Sequence, residues 1–121
     1  MGVVHIPWYA TGFRHDRLSD ALAGIAPVAI RYGARSYQVH RYRDDLYKFL
    51  QMAEFDDKLD FDRYWAGPEF TDFRTLASSW FQVPVVYSWS DIIASGTLEP
   101  EDALRETSGV AGAEQGGGVA G

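Results

Sequence analysis

No cysteine occurs among the 121 residues, which rules out disulfides, thiolate metal sites and cysteine nucleophiles. Histidine is scarce: only His5, His15 and His40 are present, and none stands with carboxylates at metal-ligand spacing. No metal site is expected. The chain has no P-loop, no GxGxxG and no GxSxG, so the usual phosphate cradles and the serine nucleophile elbow are absent. Positive charge is not in excess, with 11 Lys and Arg against 17 Asp and Glu and a net charge of −6. Without a basic stripe to track a phosphate backbone, nucleic acid is not an expected partner. No apolar run reaches membrane-spanning length. The opening MGVVHIPWYATG lacks a basic n-region and a long apolar stretch, and Ile6 stands where a myristoylation signal needs Ser or Thr. A soluble, cytoplasmic protein with no membrane partner is expected.

Aromatic residues, by contrast, are abundant: four Trp, seven Tyr and seven Phe. So many rings in so short a chain suit an aromatic core, a ligand cavity or a buried partner interface. Charge is unevenly placed. From Thr97 onward there are five acids and one base, or −4, leaving −2 for residues 1–96. The last 26 residues also hold seven glycines and no aromatic. Such a stretch buries too little to offset its ordering entropy. The expected organisation is therefore one domain over residues 1–95 and a disordered, Gly-rich acidic tail over 96–121.

Within the domain, residues 3–9 (VVHIPWY) read as a strand, with Val4, Ile6 and Trp8 on one face. Pro7 cannot donate to a ladder, so it belongs at a strand end or a bulge. A helix follows over 16–32, where Leu18, Leu22, Ile25 and Ala29 form an apolar stripe. Pro27 should kink it or split it after Ile25, and Gly33 suits a left-handed stop. His15, at the helix start, is expected to be solvated. Residues 36–43 and 46–54 alternate and flank Asp44-Asp45, a hairpin pattern. The second of these strands is apolar on both faces, with Tyr47 and Phe49 on one and Leu50 and Met52 on the other. A second helix opens at Asp56-Asp57 and carries Phe61, Tyr64 and Trp65. It is interrupted at Gly67-Pro68, then continues through Phe70, Phe73 and Ala77 to Trp80. Residues 82–90 form a fourth strand, which Pro84 assigns to an edge or a strand start.

The order β-α-β-β-α-β is the α+β, ferredoxin-like split βαβ arrangement, an antiparallel sheet of order 4-1-3-2 with both helices on one face. The other face would leave apolar groups in water. A second copy related by a two-fold axis would cover it, so a homodimer is expected.

The run strand–FLQMAEF–acidic turn–FDRYWAGPEFTDFR–strand resembles the dimeric α/β-barrel group. That group includes antibiotic-biosynthesis monooxygenases, EthD-like proteins and haem-degrading monooxygenases, with actinobacterial members among them. The resemblance spans roughly residues 3–95. It implies a dimeric α/β barrel with an apolar or aromatic ligand between helices and sheet, beside a helix-two tryptophan that Trp65 matches. The cofactor-free branch, with which no cofactor is expected, lets the bound anion of a phenolic or anthrone-like polycycle react with oxygen. The protein then holds a flat substrate, takes a proton and excludes water. The haem branch places an iron-ligating histidine two to three turns after that tryptophan. Residues 69–78 contain none, and Arg74 stands at about that place.

On this reading His40, Trp65 and Arg74 are the candidate catalytic residues, and Trp8, Tyr37, Tyr87 and Trp89 would line the ligand site. Each has a plainer role open to it. Trp65 lies on an apolar helix stripe and suits core packing; Trp8, Tyr87 and Trp89 suit an interface; His5 and His40 suit satisfied strand positions. Arg74 could pair with Asp72, Glu69 or Asp62. Two functional classes follow. One is a cofactor-independent monooxygenase, or a related cyclase or isomerase, acting on an aromatic or polyketide-like small molecule. The other is a non-catalytic dimeric module that binds an apolar ligand or serves as an accessory subunit.

Overall fold

A computed structural model describes residues 1–100. Its elements are β1 (Gly2–Tyr9), α1 (His15–Ile25), a 3-10 helix (Ala26–Tyr32), β2 (Ala34–Arg41), β3 (Lys48–Phe55), α2 (Lys58–Ala66), α3 (Pro68–Leu76) and β4 (Ser88–Ser90). All strand pairs are antiparallel, in the order β2-β3-β1-β4. This is the ferredoxin-like order expected from the sequence. The helices cover one face of the sheet.

Local chemistry sets the breaks. Pro27 lacks the N–H that would continue α1, and the chain tightens into the 3-10 helix after Ile25. Gly33, at φ 103°, ends that segment in the left-handed conformation that glycine adopts most readily. Asp57 caps α2 by accepting from the Leu59 amide at 3.0 Å. Gly67 is extended and separates α2 from α3, with Pro68 in the first turn of α3. Gly67 also has to be small: a Cβ there would meet the Tyr32 hydroxyl and lie 2.9 Å from the Arg63 carbonyl oxygen.

The core lies between helices and sheet. Val4, Ile6 and Trp8 of β1 and Phe49, Ala53 and Phe55 of β3 meet Leu18, Leu22, Phe61, Tyr64 and Phe70 from the helices. Strand alternation sends the remaining residues to the outer face, where Val3 and His5 lie opposite Glu54 and Met52. Met52 and Leu50 are only half-buried there.

The fourth strand is much shorter than the sequence suggests. Pairing with β1 holds at His5–Ser88 and resumes where the Gln82 amide donates to the Tyr9 carbonyl at 2.8 Å. Between these points the segment containing Val83–Tyr87 bulges away and is two residues longer than the stretch of β1 it faces. Pro7 and Pro84 stand on the two sides of this gap and bring no N–H to it. Pro7 thus lies within β1 rather than at its end, and the Val83–Pro84 peptide is cis. The second helical segment also ends earlier than expected, at Leu76 instead of near Trp80.

Of the expected tail, residues 101–121 lie outside the described residues. Residues 91–99 carry no helix or strand. No helix among the described residues is long and apolar enough to cross a membrane.

Candidate functional site

The break at Gly67 folds α3 back so that rings from both helices converge. Phe61, Tyr64 and Trp65 share the sheet-facing side of α2, and Phe70 and Phe73 enter from α3. Trp65 lies 4.8 Å from Phe70 and 5.1 Å from Tyr87, and Phe61 lies 4.8 Å from Tyr87, between ring centroids. Tyr87 comes from the bulged segment before β4, so that loop closes one side of the cluster.

Arg74 completes it. Its guanidinium sits over the Trp65 ring at 4.2 Å and the Phe70 ring at 5.1 Å, within cation–π range. None of the carboxylates that could have paired with it at the surface does so. One terminal nitrogen, Nη1, is buried and has no hydrogen-bond partner among the described residues. Burial lowers the guanidinium's pKa from its ordinary value, yet arginine stays cationic at neutral pH. A partly desolvated cation with an unused donor, set against aromatic walls, can stabilise an anion on a flat ring system.

Beneath the rings runs a buried polar chain. The Trp8 indole N–H donates to Gln51 Oε1 at 3.1 Å, Gln51 Nε2 donates to the Tyr64 hydroxyl at 3.1 Å, and that hydroxyl donates to the Ile25 carbonyl at 2.7 Å. Burial pushes the Tyr64 phenol well above its ordinary pKa, only partly offset by the Gln51 hydrogen bond. Gln51 was not singled out from the sequence. Its signal is a lone polar residue on the apolar face of β3, between Phe49 and Ala53.

The sequence-derived candidates divide accordingly. Trp65, Arg74 and Tyr87 come together. Trp8 touches the same cluster through Phe70, at 6.2 Å, and Phe73, at 5.5 Å, but it is fully buried and its indole is committed to Gln51. Trp89 is half-buried on β4 beside Gly2, where a Cβ would lie 2.7 Å from its ring. Tyr37 is 41% exposed on the edge strand β2. His40 is exposed on the outer face of the sheet, opposite Leu50, and its Nε2 bonds to the Gln38 side chain at 2.8 Å. The sheet thus separates His40 from Trp65 within one chain. Among the described residues no group of three His, Asp or Glu could hold a metal ion.

No family model matches the chain, and no curated protein matches it either. Solved structures do. A Nitrosomonas europaea protein provisionally assigned as an antibiotic biosynthesis monooxygenase superposes with a TM-score of 0.71 at 14% identity, covering 78% of this chain and 100% of its own. A second antibiotic biosynthesis monooxygenase gives 0.69 at 15% identity, covering 78% and 100%. The chain has the antibiotic biosynthesis monooxygenase fold. SnoaB, a cofactor-independent oxygenase from Streptomyces nogalater, is also similar, with a TM-score of 0.65 at 17% identity over 78% of this chain and 95% of that one. Within this fold, the aromatic cluster occupies the space between the helices and the sheet.

Proposed function

We propose that the protein is a cofactor-independent monooxygenase that binds an aromatic or polyketide-like small molecule against Trp65, Tyr87 and Arg74. The observation that carries this reading is the Arg74 guanidinium, stacked on Trp65 with a buried donor left unused. The likeness of the fold to SnoaB supports the same chemistry. Trp65 and Tyr87 hold the flat substrate, and Arg74 favours its enolate or phenolate form by facing the developing charge. The electron-rich anion then reacts with dioxygen. A ring methylene becomes a carbonyl and the second oxygen atom leaves as water, so no external reductant is consumed.

The test is turnover of a tricyclic anthrone, followed by oxygen uptake and product absorbance. Arg74→Gln should lower kcat/KM about 10²-fold, the usual cost of removing one oxyanion donor, and Trp65→Phe should weaken substrate binding. Unchanged turnover in both variants would sink the proposal. Because His40 lies across the sheet from Trp65, His40→Ala should matter only if a second copy brings it to a ligand.

A second reading, a non-catalytic dimeric binding or accessory module, draws on the histidines. His5 bonds Ser90 at 3.0 Å, His15 opens α1 and His40 is on the outer face, so the aromatic cluster has no imidazole base from its own chain. Tight binding of the anthrone with no oxygen uptake would favour this module.

A further inference from the structure

At the end of the sheet where β1 runs into α1, a second group of titratable side chains is assembled away from the aromatic cluster. Arg41, the last residue of β2, donates through Nη2 to His15 Nδ1 and, at 3.0 Å, to Asp16 Oδ1. Its Nε donates to the Leu46 carbonyl at 3.0 Å, and its guanidinium lies 5.3 Å from the Phe49 ring. The His15 ring packs on Tyr47 at 4.6 Å between centroids. The Tyr47 hydroxyl in turn accepts from the Phe13 amide at 3.3 Å. His15 is therefore not the solvated helix-start residue expected from the sequence, since only 26% of its side chain is exposed.

We propose that His15 is a proton-operated latch that ties the β1–α1 turn to the end of β2. A guanidinium has donors only and does not lose its proton in proteins, so Nδ1 must be the acceptor in this contact. The neutral Nε2–H tautomer is the one that fits. Adding a proton turns Nδ1 into a donor and sets two cations against each other. Asp16 lies within 3.3 Å of His15 Nδ1 as well as 3.0 Å from Arg41. Among the described residues it is the one acceptor the two can contest, and its carboxyl is held below its ordinary pKa chiefly by the Arg41 hydrogen bond.

The groups facing His15 are thus Asp16 on its own helix, Arg41 from β2 and Tyr47 from the turn before β3. Behind Tyr47, the Tyr9 hydroxyl from β1 donates to Asp45 at 2.9 Å. Protonation exchanges the Arg41–His15 bond for an Asp16–His15 bond, which loosens Arg41 and the Tyr47 contact to the turn. The turn holds Phe13, a non-glycine residue at φ 63° that is 97% exposed. What the latch governs is the presentation of that residue.

The experiment is 1H–15N NMR of the intact protein from about pH 8 to 5, the range in which histidine changes charge. The Phe13 amide and the Arg41 Nε–H should shift together through one transition in the wild type. In His15→Asn, whose amide oxygen can still accept from Arg41 but cannot titrate, the transition should be lost. In His40→Asn it should persist. A transition that survives His15→Asn, or none in the wild type, overturns the latch. If the Asn variant fails to fold, the long-range 1H–15N pattern of the wild-type His15 ring at pH 8 decides: the Nε2–H tautomer supports the latch and the Nδ1–H tautomer refutes it.

Discussion

Gln51 is the one fully buried polar side chain among the described residues, and its position explains how a core this aromatic keeps a single arrangement. A ring core packs many ways with similar contact energy, whereas a carboxamide with one donor and one acceptor engaged fits one way. Trp8, Gln51, Tyr64 and Ile25 thereby lock β1, β3, α2 and the end of α1 together. Tyr64→Phe removes the acceptor of the Gln51 amide and the donor to Ile25, and should cost about 1–3 kcal/mol in urea unfolding. The pH dependence has a definite sign. The Tyr64 phenol is raised in the folded state, so above about pH 10 the unfolded chain gives up a proton that the folded chain retains. Stability contributed by this group is complete below that pH and declines as pH rises. Tyr64→Phe should therefore show a shallower alkaline decline, and an equally steep one would mean that other tyrosines dominate.

The break between α2 and α3 aims Arg74 at Trp65, because one straight helix would carry the two residues on divergent faces. Gly67 makes the break by leaving room for the Tyr32 hydroxyl, which donates to Glu69 at 2.5 Å in the first turn of α3. Gly67→Ala should destabilise the fold by about 1–3 kcal/mol, as overpacking does. In a Tyr32→Phe background, thermal unfolding should show a smaller penalty; equal penalties would place the strain at the Arg63 carbonyl and the Tyr32 ring carbon Cζ, each 2.9 Å from the added Cβ, instead of at the hydroxyl. Much at this scale was legible in the sequence, because proline and glycine punctuate the backbone locally: Pro27 splits the first helix, Gly67-Pro68 the second, and Pro84 marks an edge. The extent of β4 was not, since Pro7 and Pro84 interrupt the ladder only once they face each other across it. Trp65 stands out through the family resemblance, whereas its helical spacing alone suits core packing. That Arg74 would stack on it rather than pair with a nearby acid depends on the angle of the break, and that His40 would face away depends on which side of the sheet the helices take. Neither is written in a strand's alternation.

At the scale of the whole molecule, the described residues cover the sheet on one side only. Helices bury one face, while the other carries Val3, His5, Leu50 and Met52 half-buried, with Pro7 exposed beside them. At one end of the sheet, Val83 is 76% and Val86 66% exposed, extending the apolar surface onto the bulged segment. Apolar groups gathered on one sheet face in this way are costly in water and are a usual mark of an interface. A second copy fits because a two-fold axis lets the same patch meet itself, with Glu54 and His40 of this face left to pair or to lie at the patch's rim. The expected species at micromolar concentration is a homodimer, twice the 13.6 kDa of one chain by native mass spectrometry. Leu50→Lys with Met52→Glu should shift it to monomer while far-UV circular dichroism stays native, because both side chains point away from the core. A wild-type mass of one chain would mean that the sheet tolerates water on this face. It would also confine any ligand to the rings and the cation that one chain supplies.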